Sequence, residues 1–499
     1  MSTVRSKRRL LFGFVAALAA LLMLGILARN YLAGVTLGTV LKEAGATEVR
    51  FQIRQVSLWR VVVEDVRFLL RLQPFAAGRV TLERARWWMP SLGTLRVEAA
   101  QVPVRLDGPA APPPADGVQP AAATGGSVTL PFDEISIDGQ LVVQAADLPE
   151  QALTVKIAAR PTGAGVWEGS TQIDGPGLGL KGQGRYDLGS GELVFKLPEI
   201  SLDLETWDGF VHRLVPVPAG DWETAGKFSG SAEGRWAGGK LAAAGAVRLR
   251  EGRLASTVQA VTAEGIEAEL EFTDFAALTT KPGTLRIREV RTGKLALTDV
   301  AAGFALEGAD RIAVTEVSLQ ALGGRLSAEP FAFAPSRAEL DAVLLADGIS
   351  IEEVMALTQD LPAKATGRVN GRVPVRIDAS GLKLGTGWLA LTPGVQAEIE
   401  FNAKGLLTGG AAPTSPSYAV LQRVESGLLK LRIGELRLDI RPTDAPAGRS
   451  ARLHLKGAPV DPEVKAPVIL DLNVNGPLEK LINMGLDSRL SIGTKPGGK

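Results

Sequence analysis

Residues 429–440 read LKLRIGELRLDI, and this stretch decides the fold class. Apolar residues alternate with charged ones in two groups, Leu429/Leu431/Ile433 and Leu436/Leu438/Ile440. A period of two places the apolar side chains on one face of a β-strand and the charged ones on the other. The stretch therefore predicts half-buried β-structure of the kind found in antiparallel sheets.

The same alternation recurs along the chain. Its clearest further examples are Leu193/Phe195/Leu197, Ile200/Leu202/Leu204, Val373/Val375/Ile377 and Val468/Leu470/Leu472/Val474. Turn-forming residues are frequent, with 57 Gly and 30 Pro, whereas aromatic residues make up 5% of the chain. Long helical patterns are scarce after the N-terminal region. Short strands between many turn residues predict an all-β protein.

A six-residue pattern recurs within these strands: apolar, any, acidic, apolar, any, apolar. It occurs at 63–68, 132–137, 197–202, 314–319 and 433–438, with a shorter copy at 287–290. The spacing between copies is irregular, which excludes a propeller or a solenoid of fixed period. A set of amphipathic strands that carry turn carboxylates would produce the same pattern.

An apolar run, LLFGFVAALAALLMLGILA, occupies residues 10–28 and contains no charged residue. At 1.5 Å per residue it would cover about 29 Å of a hydrocarbon core that is about 30 Å thick. Arg5, Lys7, Arg8 and Arg9 precede it, which predicts a transmembrane helix with a cytoplasmic N-terminus. A cleaved signal peptide is the alternative, but the run is long for one and lacks an A-x-A site.

Composition shifts divide the chain into seven predicted segments. These are a basic tail (1–9), the transmembrane helix (10–28), an N-terminal β segment (29–106), an Ala/Pro/Gly-rich linker or loop (107–127), a central β segment (128–313), a C-terminal β segment (314–490) and a flexible tail (491–499). Three short helices are predicted at 350–360, 416–425 and 477–484, where they would cap exposed apolar sheet.

Few residues offer catalytic or metal chemistry. The chain has no Cys, which excludes disulfides and thiolate sites, and its two histidines, His212 and His454, lack a metal-ligand spacing. His454 falls on the predicted charged face of a strand and is expected to be a surface residue. No nucleophile elbow or phosphate-binding loop occurs in a strand-then-helix context. A net charge of +1 gives no basic surplus for nucleic acid. The sequence therefore predicts a non-enzyme without metal, cofactor or nucleic-acid partner.

The apolar face of the strands then has to explain the function. A closed sandwich would bury it, whereas a sheet curled into a trough would expose a groove that fits an acyl chain. The candidate groove residues are Leu202, Val314, Val317, Val375, Leu431, Leu438, Leu470 and Leu472. Their placement depends on register, since a slip of one residue would exchange the faces.

Several of these stretches resemble a known family. Residues 348–377, 387–401, the helix near Pro416 and the strand pair at 451–474 resemble the C-terminal end of the YdbH-type proteins, a branch of the AsmA-like intermembrane lipid transporters. This resemblance covers roughly residues 314–485. The strands at 53–68 and 82–102, which follow a single N-terminal anchor, are similar to the start of the same family.

The resemblance implies an elongated, mainly antiparallel sheet curled into a β-taco-like apolar groove. It also implies an inner-membrane anchor, a periplasmic body and passage of phospholipid between the inner and outer membranes, with the phospholipid acyl chains bound in the groove. An open terminal strand would accept an outer-membrane partner by β-augmentation. Two alternatives remain: an envelope scaffold that pairs through its sheet edge without transferring lipid, and a polysaccharide-binding module. The eight Trp residues are scattered, so no aromatic platform favours the module.

Overall fold

The structure is a computed structural model. It describes residues 46–57, 59–70, 73–84, 93–106, 132–163, 165–214, 221–293, 295–337, 339–357, 363–378, 381–401, 408, 414–415, 418–441, 449–461, 464 and 466–475. The predicted transmembrane helix (10–28), the linker (107–127), the helix at 477–484 and the tail (491–499) lie outside these residues.

The described residues form an all-β protein with few helices, as the alternation predicts. The strands are β1 Ala46–Val56, β2 Arg60–Leu70, β3 Gln73–Glu83, β4 Thr94–Arg105, β5 Glu134–Gln144, β6 Gln151–Gly163, β7 Val166–Gly175, β8 Leu178–Asp187, β9 Glu192–Asp203, β10 Trp222–Ala237, β11 Lys240–Ser256, β12 Val261–Asp274, β13 Thr279–Thr280, β14 Gly283–Thr292, β15 Leu295–Leu306, β16 Ile312–Ala321, β17 Gly324–Ala328, β18 Phe331–Phe333, β19 Leu340–Ser350, β20 Ala363–Thr366, β21 Arg368–Asp378, β22 Gly381–Leu384, β23 Gly387–Leu391, β24 Ala397–Phe401, β25 Lys430–Ile440, β26 Arg449–Pro459 and β27 Val468–Asn475. The helices are α1 Leu204–Leu214, α2 Ile351–Leu357 and α3 Tyr418–Leu429, with a 3₁₀ turn at Pro335–Arg337.

The chain divides into two compact units. The first comprises residues 1–202 and 230–243, and the second comprises residues 203–229 and 244–499. In the first unit, β1 to β9 follow each other in sheet order, and each pairs antiparallel with the next except for one parallel pair, β4 and β5. A parallel pair requires a crossover connection, and the predicted linker lies between these two strands in the sequence.

In the second unit all the described pairings are antiparallel. The order runs from β11 through β12, β14 and β15 to β16. Two short strands, β17 and β18, pair with different parts of β16, and β17 also pairs with β19. The order continues from β19 through β21, β23, β25 and β26 to β27, while β20 and β24 extend the same sheet beside β25. Among the described pairs, β11 and β27 do not pair with each other, so this sheet is open.

The helices differ in part from the prediction. The predicted helix at 350–360 is α2, and Ser350 caps it by accepting a hydrogen bond from the Glu353 amide at 3.3 Å. The helix predicted at 416–425 continues to Leu429, so Leu429 belongs to α3 rather than to a strand. The helix α1 was not predicted. Leu204, which the alternation assigned to a strand, begins α1 because Asp203 accepts a hydrogen bond from the Glu205 amide at 3.0 Å and caps the helix.

A row of β-bulges crosses the first unit. Asp65 in β2 and Ala99 in β4 have positive φ angles of 54° and 51°, and Gly78 in β3 lies opposite both in the register. A β-carbon on Gly78 would lie 3.0 Å from that of Ala99. A bulge bends its strand and increases the local twist. The bends of three neighbouring strands therefore coincide.

A second row crosses the second unit. Gly265 in β12, Arg288 in β14 and Asp299 in β15 lie opposite one another in the register, and Glu251 contributes a bulge in β11. Three of these four residues have positive φ angles: Glu251 at 53°, Gly265 at 65° and Asp299 at 51°. Glycine is required at position 265 because a β-carbon there would lie 2.8 Å from that of Arg288.

These bulges explain the recurrent six-residue pattern. In five of its six copies the second and third residues of the pattern form a bulge or lie in a bulge row, and both of them point to the polar face. Val63 and Val66 therefore lie on the same face, although three positions separate them. The copy at 132–137 is the exception, because it crosses the start of β5. The pattern marks the positions where a strand bends without losing its apolar face.

Candidate functional site: the apolar face of the sheet

The register of the second unit collects apolar residues on one side, here called the apolar face. Its described members include Val247, Leu249, Leu254, Val261, Ala263, Ile266, Ala268, Leu270, Phe272, Leu285, Ile287, Val290, Leu295, Leu297, Val300, Ala302, Phe304, Leu306, Ile312, Val314, Val317, Leu319, Ala321, Leu326, Ala328, Phe331, Phe333, Leu340, Ala342, Leu344, Ala346, Ile349, Ala365, Val369, Val373, Val375, Ile377, Leu384, Leu389, Leu391, Ala397, Ile399, Leu431, Ile433, Leu436, Leu438, Ile440, Ala451, Leu453, Leu455, Val468 and Leu470.

The apolar face is continuous from β11 to β27. Between the ends of the described strands the register places no charged side chain on it; the polar residues that it includes are Ser256, Thr280 and Thr292. All three hydroxyl residues lie at the ends of their strands. An uncharged surface of this extent disfavours ions and favours hydrocarbon.

Most of the apolar face is only half-buried. Val247, Leu249, Ile266, Leu285 and Ile287 are typical, since each is neither fully buried nor fully exposed. The extensive contacts between described elements of this unit are those between neighbouring strands, together with contacts of α2 and α3 with strands beside them. A second packed layer would bury such side chains completely. Along these strands the apolar side chains therefore keep part of their surface accessible.

Two stretches of the apolar face are packed more tightly. Ala342, Val375, Leu384 and Ile440 form one cluster of buried residues. A second cluster surrounds Leu431, which is 0% exposed, and consists of Ala397, Leu431, Ile433 and Leu455. The helix α3 contacts β24 and β25, the strands that contribute most of this second cluster. These clusters hold the sheet together, and α3 lies beside the more deeply buried of them.

The eight predicted groove residues lie as follows. Val314, Val317, Val375, Leu431, Leu438 and Leu470 all lie on the apolar face of the second unit, and Leu472 pairs with Leu453 of that face. Val314 and Val317 share the face because a bulge at Thr315 separates them.

Leu202 belongs to the first unit, where it pairs with Leu178 on the side that Ile200 and Leu180 also occupy. Leu431 is completely buried, so it is a core residue of this structure. The accessible candidates are the half-buried ones, Val317, Leu438 and Leu470 among them.

The opposite face is a surface of ion pairs. Arg372 Nε lies 2.9 Å from Glu329 Oε1, and Lys456 Nζ lies 3.0 Å from Glu435 Oε1. The hydrogen bond from Lys456 lowers the pKa of Glu435 below its usual value. His454 lies on this face as predicted, with Nδ1 3.0 Å from Asp471 Oδ1, and that hydrogen bond lowers the pKa of Asp471.

The described residues do not bring metal-ligating side chains together. None of their His, Asp and Glu side chains form a group of three that could hold a metal ion. His212 lies in α1, where its Nε2 is 3.4 Å from Asp208 Oδ1, and it is not near His454 in the sequence. Within the described ranges no helix is both long enough and apolar enough to cross a bilayer.

Sequence reasoning missed many residues of the apolar face. Strict alternation cannot connect Ile287 with Val290 or Leu297 with Val300, because a bulge separates each pair. The signal was present in the recurrent acidic pattern, which has a three-residue step between two apolar positions. A search for that step, rather than for strict alternation, would have found them.

Comparison with known proteins agrees with this geometry. Residues 121–395 match the family described as "YdbH-like: Intermembrane phospholipid transport protein YdbH". The match covers more than half of the chain and includes the central strands, whereas the resemblance in the sequence was placed further toward the C-terminus. No curated protein and no solved structure matches the chain significantly. The family consists of lipid transport proteins rather than enzymes. The protein thus belongs to the YdbH-like family of intermembrane phospholipid transport proteins.

Proposed function

We propose that this protein is anchored in the inner membrane by residues 10–28 and carries phospholipid through the periplasm between the inner and outer membranes. The acyl chains would lie on the apolar face, and the head groups would remain in water along its open side. The observation that carries the proposal is the charge-free apolar face of β11 to β27, which is half-buried over most of its described length.

The bulge rows support a curled groove. A flat sheet would offer an acyl chain one wall, whereas a sheet bent along one line offers two. Gly265, Arg288 and Asp299 place the bends of three strands side by side while the apolar face stays continuous across them. Coincident bends favour a trough over a flat sheet, since each bulge adds twist at the same level.

Site-specific photocrosslinking tests the face that carries lipid. Leu470 and Ile469 are neighbouring isomers in β27, but Leu470 pairs with Leu455 on the apolar face, whereas Ile469 pairs with Lys456 on the polar face. Ile469 is the more exposed of the two, at 58%. A benzophenone amino acid at position 470 should crosslink phospholipid in living cells, and the same probe at 469 should not.

The pair of positions controls for exposure, because a probe that reacts by exposure alone would react more at 469. Equal lipid crosslinking at both positions, or none at 470 in a protein that is folded and anchored, would refute the proposal. Protein adducts at 469 and 470 without any lipid would instead favour an envelope scaffold that pairs through its sheet edge.

A charge on the apolar face tests passage. Leu438→Lys places an ammonium group among Leu389 and Leu453, whereas Arg437→Lys keeps the charge of its neighbour on the polar face. Lipid transfer from labelled donor vesicles should fall at least tenfold for L438K, because a lipid that moves along the apolar face has to pass the new charge. Transfer should remain unchanged for R437K. Unchanged transfer by a folded L438K protein would contradict a route along this face.

A further inference from the structure

The first unit has an unusual charge distribution. Residues 46–105 contain ten arginines, no lysine and five acidic residues, whereas the chain after residue 106 contains 39 basic and 48 acidic residues. The near-zero net charge of the whole chain therefore hides a basic block directly after the predicted membrane segment. Arginine is the residue that best matches phosphate, because its planar guanidinium donates two parallel hydrogen bonds.

Four of these arginines form what we call the arginine patch: Arg50, Arg67, Arg96 and Arg105. All four are exposed, and the register places them on the polar face of β1, β2 and β4. None of them has a carboxylate within ion-pair distance in the described part of the chain. By contrast, Arg79 pairs with Glu64 at 3.1 Å on the same face.

Within the patch, Arg50 and Arg67 lie directly opposite each other on β1 and β2. Like charges at directly opposed positions destabilise a sheet unless an anion lies between them. The two arginines line an open depression of about 520 Å³, together with Gln101 and the acidic residues Glu48 and Glu150. Glu150 already accepts a hydrogen bond from Gln144 Nε2 at 2.7 Å.

The position of the patch in the chain indicates its partner. β1 begins at residue 46, soon after the apolar run that ends at residue 28, so Arg50 is among the first residues of the folded body. The cytoplasmic and periplasmic surfaces of a bacterial membrane both present phosphate head groups, and a juxtamembrane basic cluster gains about 1 kcal/mol per residue at an anionic surface.

We propose that the arginine patch docks the polar face of β1–β4 onto the anionic head groups of the membrane that holds residues 10–28. Docking would orient the first strands at the bilayer, so that a lipid leaving the membrane meets the sheet in one defined position. The inference rests on the proposed membrane anchor, but not on lipid transfer along the apolar face.

A single label on the full chain tests the docking. Because the protein has no Cys, Gln101→Cys gives one site for a fluorophore, on the polar face of β4 two strands from Arg67. Gln183→Cys, on the polar face of β8, is the control position. The labelled chain is reconstituted in nanodiscs of phosphatidylcholine, with or without 30% phosphatidylglycerol (about one lipid in three), and with a quencher on the lipid head groups.

Quenching at position 101 should be stronger in the phosphatidylglycerol discs and should fall as the salt concentration rises. The double substitution Arg50→Gln and Arg67→Gln should lower the ratio of docked to free protein about fivefold for each arginine. Lys227→Gln with Arg248→Gln removes the same charge from the second unit, where both residues are paired with glutamates, and should leave the ratio unchanged.

Equal quenching in both kinds of disc, or an equal loss in the control variant, would overturn the proposal. The lipid crosslink at position 470 is measured on the same variants. If that crosslink is absent while quenching at 101 still depends on phosphatidylglycerol, the docking stands and the lipid route does not. If the crosslink is present and quenching is independent of lipid charge, the patch is an ordinary solvated surface.

Discussion

Inserting one alanine between Leu436 and Arg437 should unfold the end of the sheet, whereas removing Gly434 should not. The register of β25 and β26 shows one extra residue at Gly434, between Ile433 and Glu435. Without Gly434 the strand would alternate regularly and keep every apolar residue on the apolar face. An insertion after Leu436, two residues beyond Gly434, lacks such a position and turns the rest of the strand over.

The cost of the insertion follows from the side chains that change faces. Leu438 and Ile440 would move to the polar face, at about 1.5–3 kcal/mol for each side chain, or about 3–6 kcal/mol together. Arg437 and Asp439 would move onto the apolar face and add to this cost. Deletion of Gly434 removes a bend and should cost about 1 kcal/mol or less.

Hydrogen exchange measured by mass spectrometry gives the local free energy of opening for peptides from β25 and β26. The insertion should lower their protection at least 100-fold, since about 1.4 kcal/mol corresponds to a factor of ten. Gly434→Ala is the matched control, because a β-carbon there would meet nothing closer than Lys456 O at 3.8 Å. Equal loss of protection for the deletion and the insertion would refute the assignment of Gly434 as the extra residue.

Three further predictions concern single residues. Leu431→Ala should cost about 2–5 kcal/mol of local stability, because the Leu431 side chain is 0% exposed. Ile469→Ala, at 58% exposure, should cost less than about 1 kcal/mol. Similar losses of stability for the two variants in hydrogen exchange would contradict the burial of Leu431. Gly265→Ala should lower the midpoint of thermal unfolding, because the φ of 65° disfavours any side chain and the added β-carbon would lie 2.8 Å from that of Arg288. An unchanged midpoint would disprove the requirement for glycine. Hydrogen bonds from Thr257, Ser256 and the Val258 amide lower the pKa of Asp221 in the folded state. The ionised Asp221 should therefore stabilise the fold fully above about pH 4, and this stabilisation should disappear as the pH falls further, as measured by hydrogen exchange of the turn at residues 256–258. An Asp221→Asn protein with the same pH dependence would contradict this prediction.

Much of the fold could be predicted from the sequence because alternation is a local signal. In β21 and β27 the apolar residues occupy every second position without interruption, and the structure has both strands where the pattern places them. The parallel pairing of β4 with β5 could not be predicted, because it depends on which edge the chain reaches after the linker and not on any residue of the two strands.

The bulges show where local patterns fail. A bulge adds one residue to a strand, so the apolar residues before and after it fall out of phase although they share a face. Ala99 adopts a positive φ angle that its residue type does not indicate, and Asp65 and Asp299 adopt one that aspartate tolerates but does not require. Their conformation is imposed by neighbours in the register, which a single sequence does not reveal.

The helix α1 was missed for a different reason. Leu202 and Leu204 continue the alternation of β9, so a period-two search extends the strand beyond its end at Asp203. The helical signal lies in Trp207 and Phe210, which are 6% and 3% exposed and whose rings pack 5.2 Å apart. An N-terminal Asp followed by apolar residues at a spacing of three would have indicated the helix.

The strand order also has a consequence for how the protein is made. In the first unit every strand pairs with the strand that follows it in the chain, so each pairing closes a short loop except for the one across residues 107–127. Contacts between near neighbours in sequence form quickly. A chain that crosses a membrane from its N-terminus can add each strand to the growing edge as it emerges, and no early strand has to wait for the C-terminus. Secretion and folding can therefore proceed at the same pace, with the newest strand forming the growing edge of the sheet.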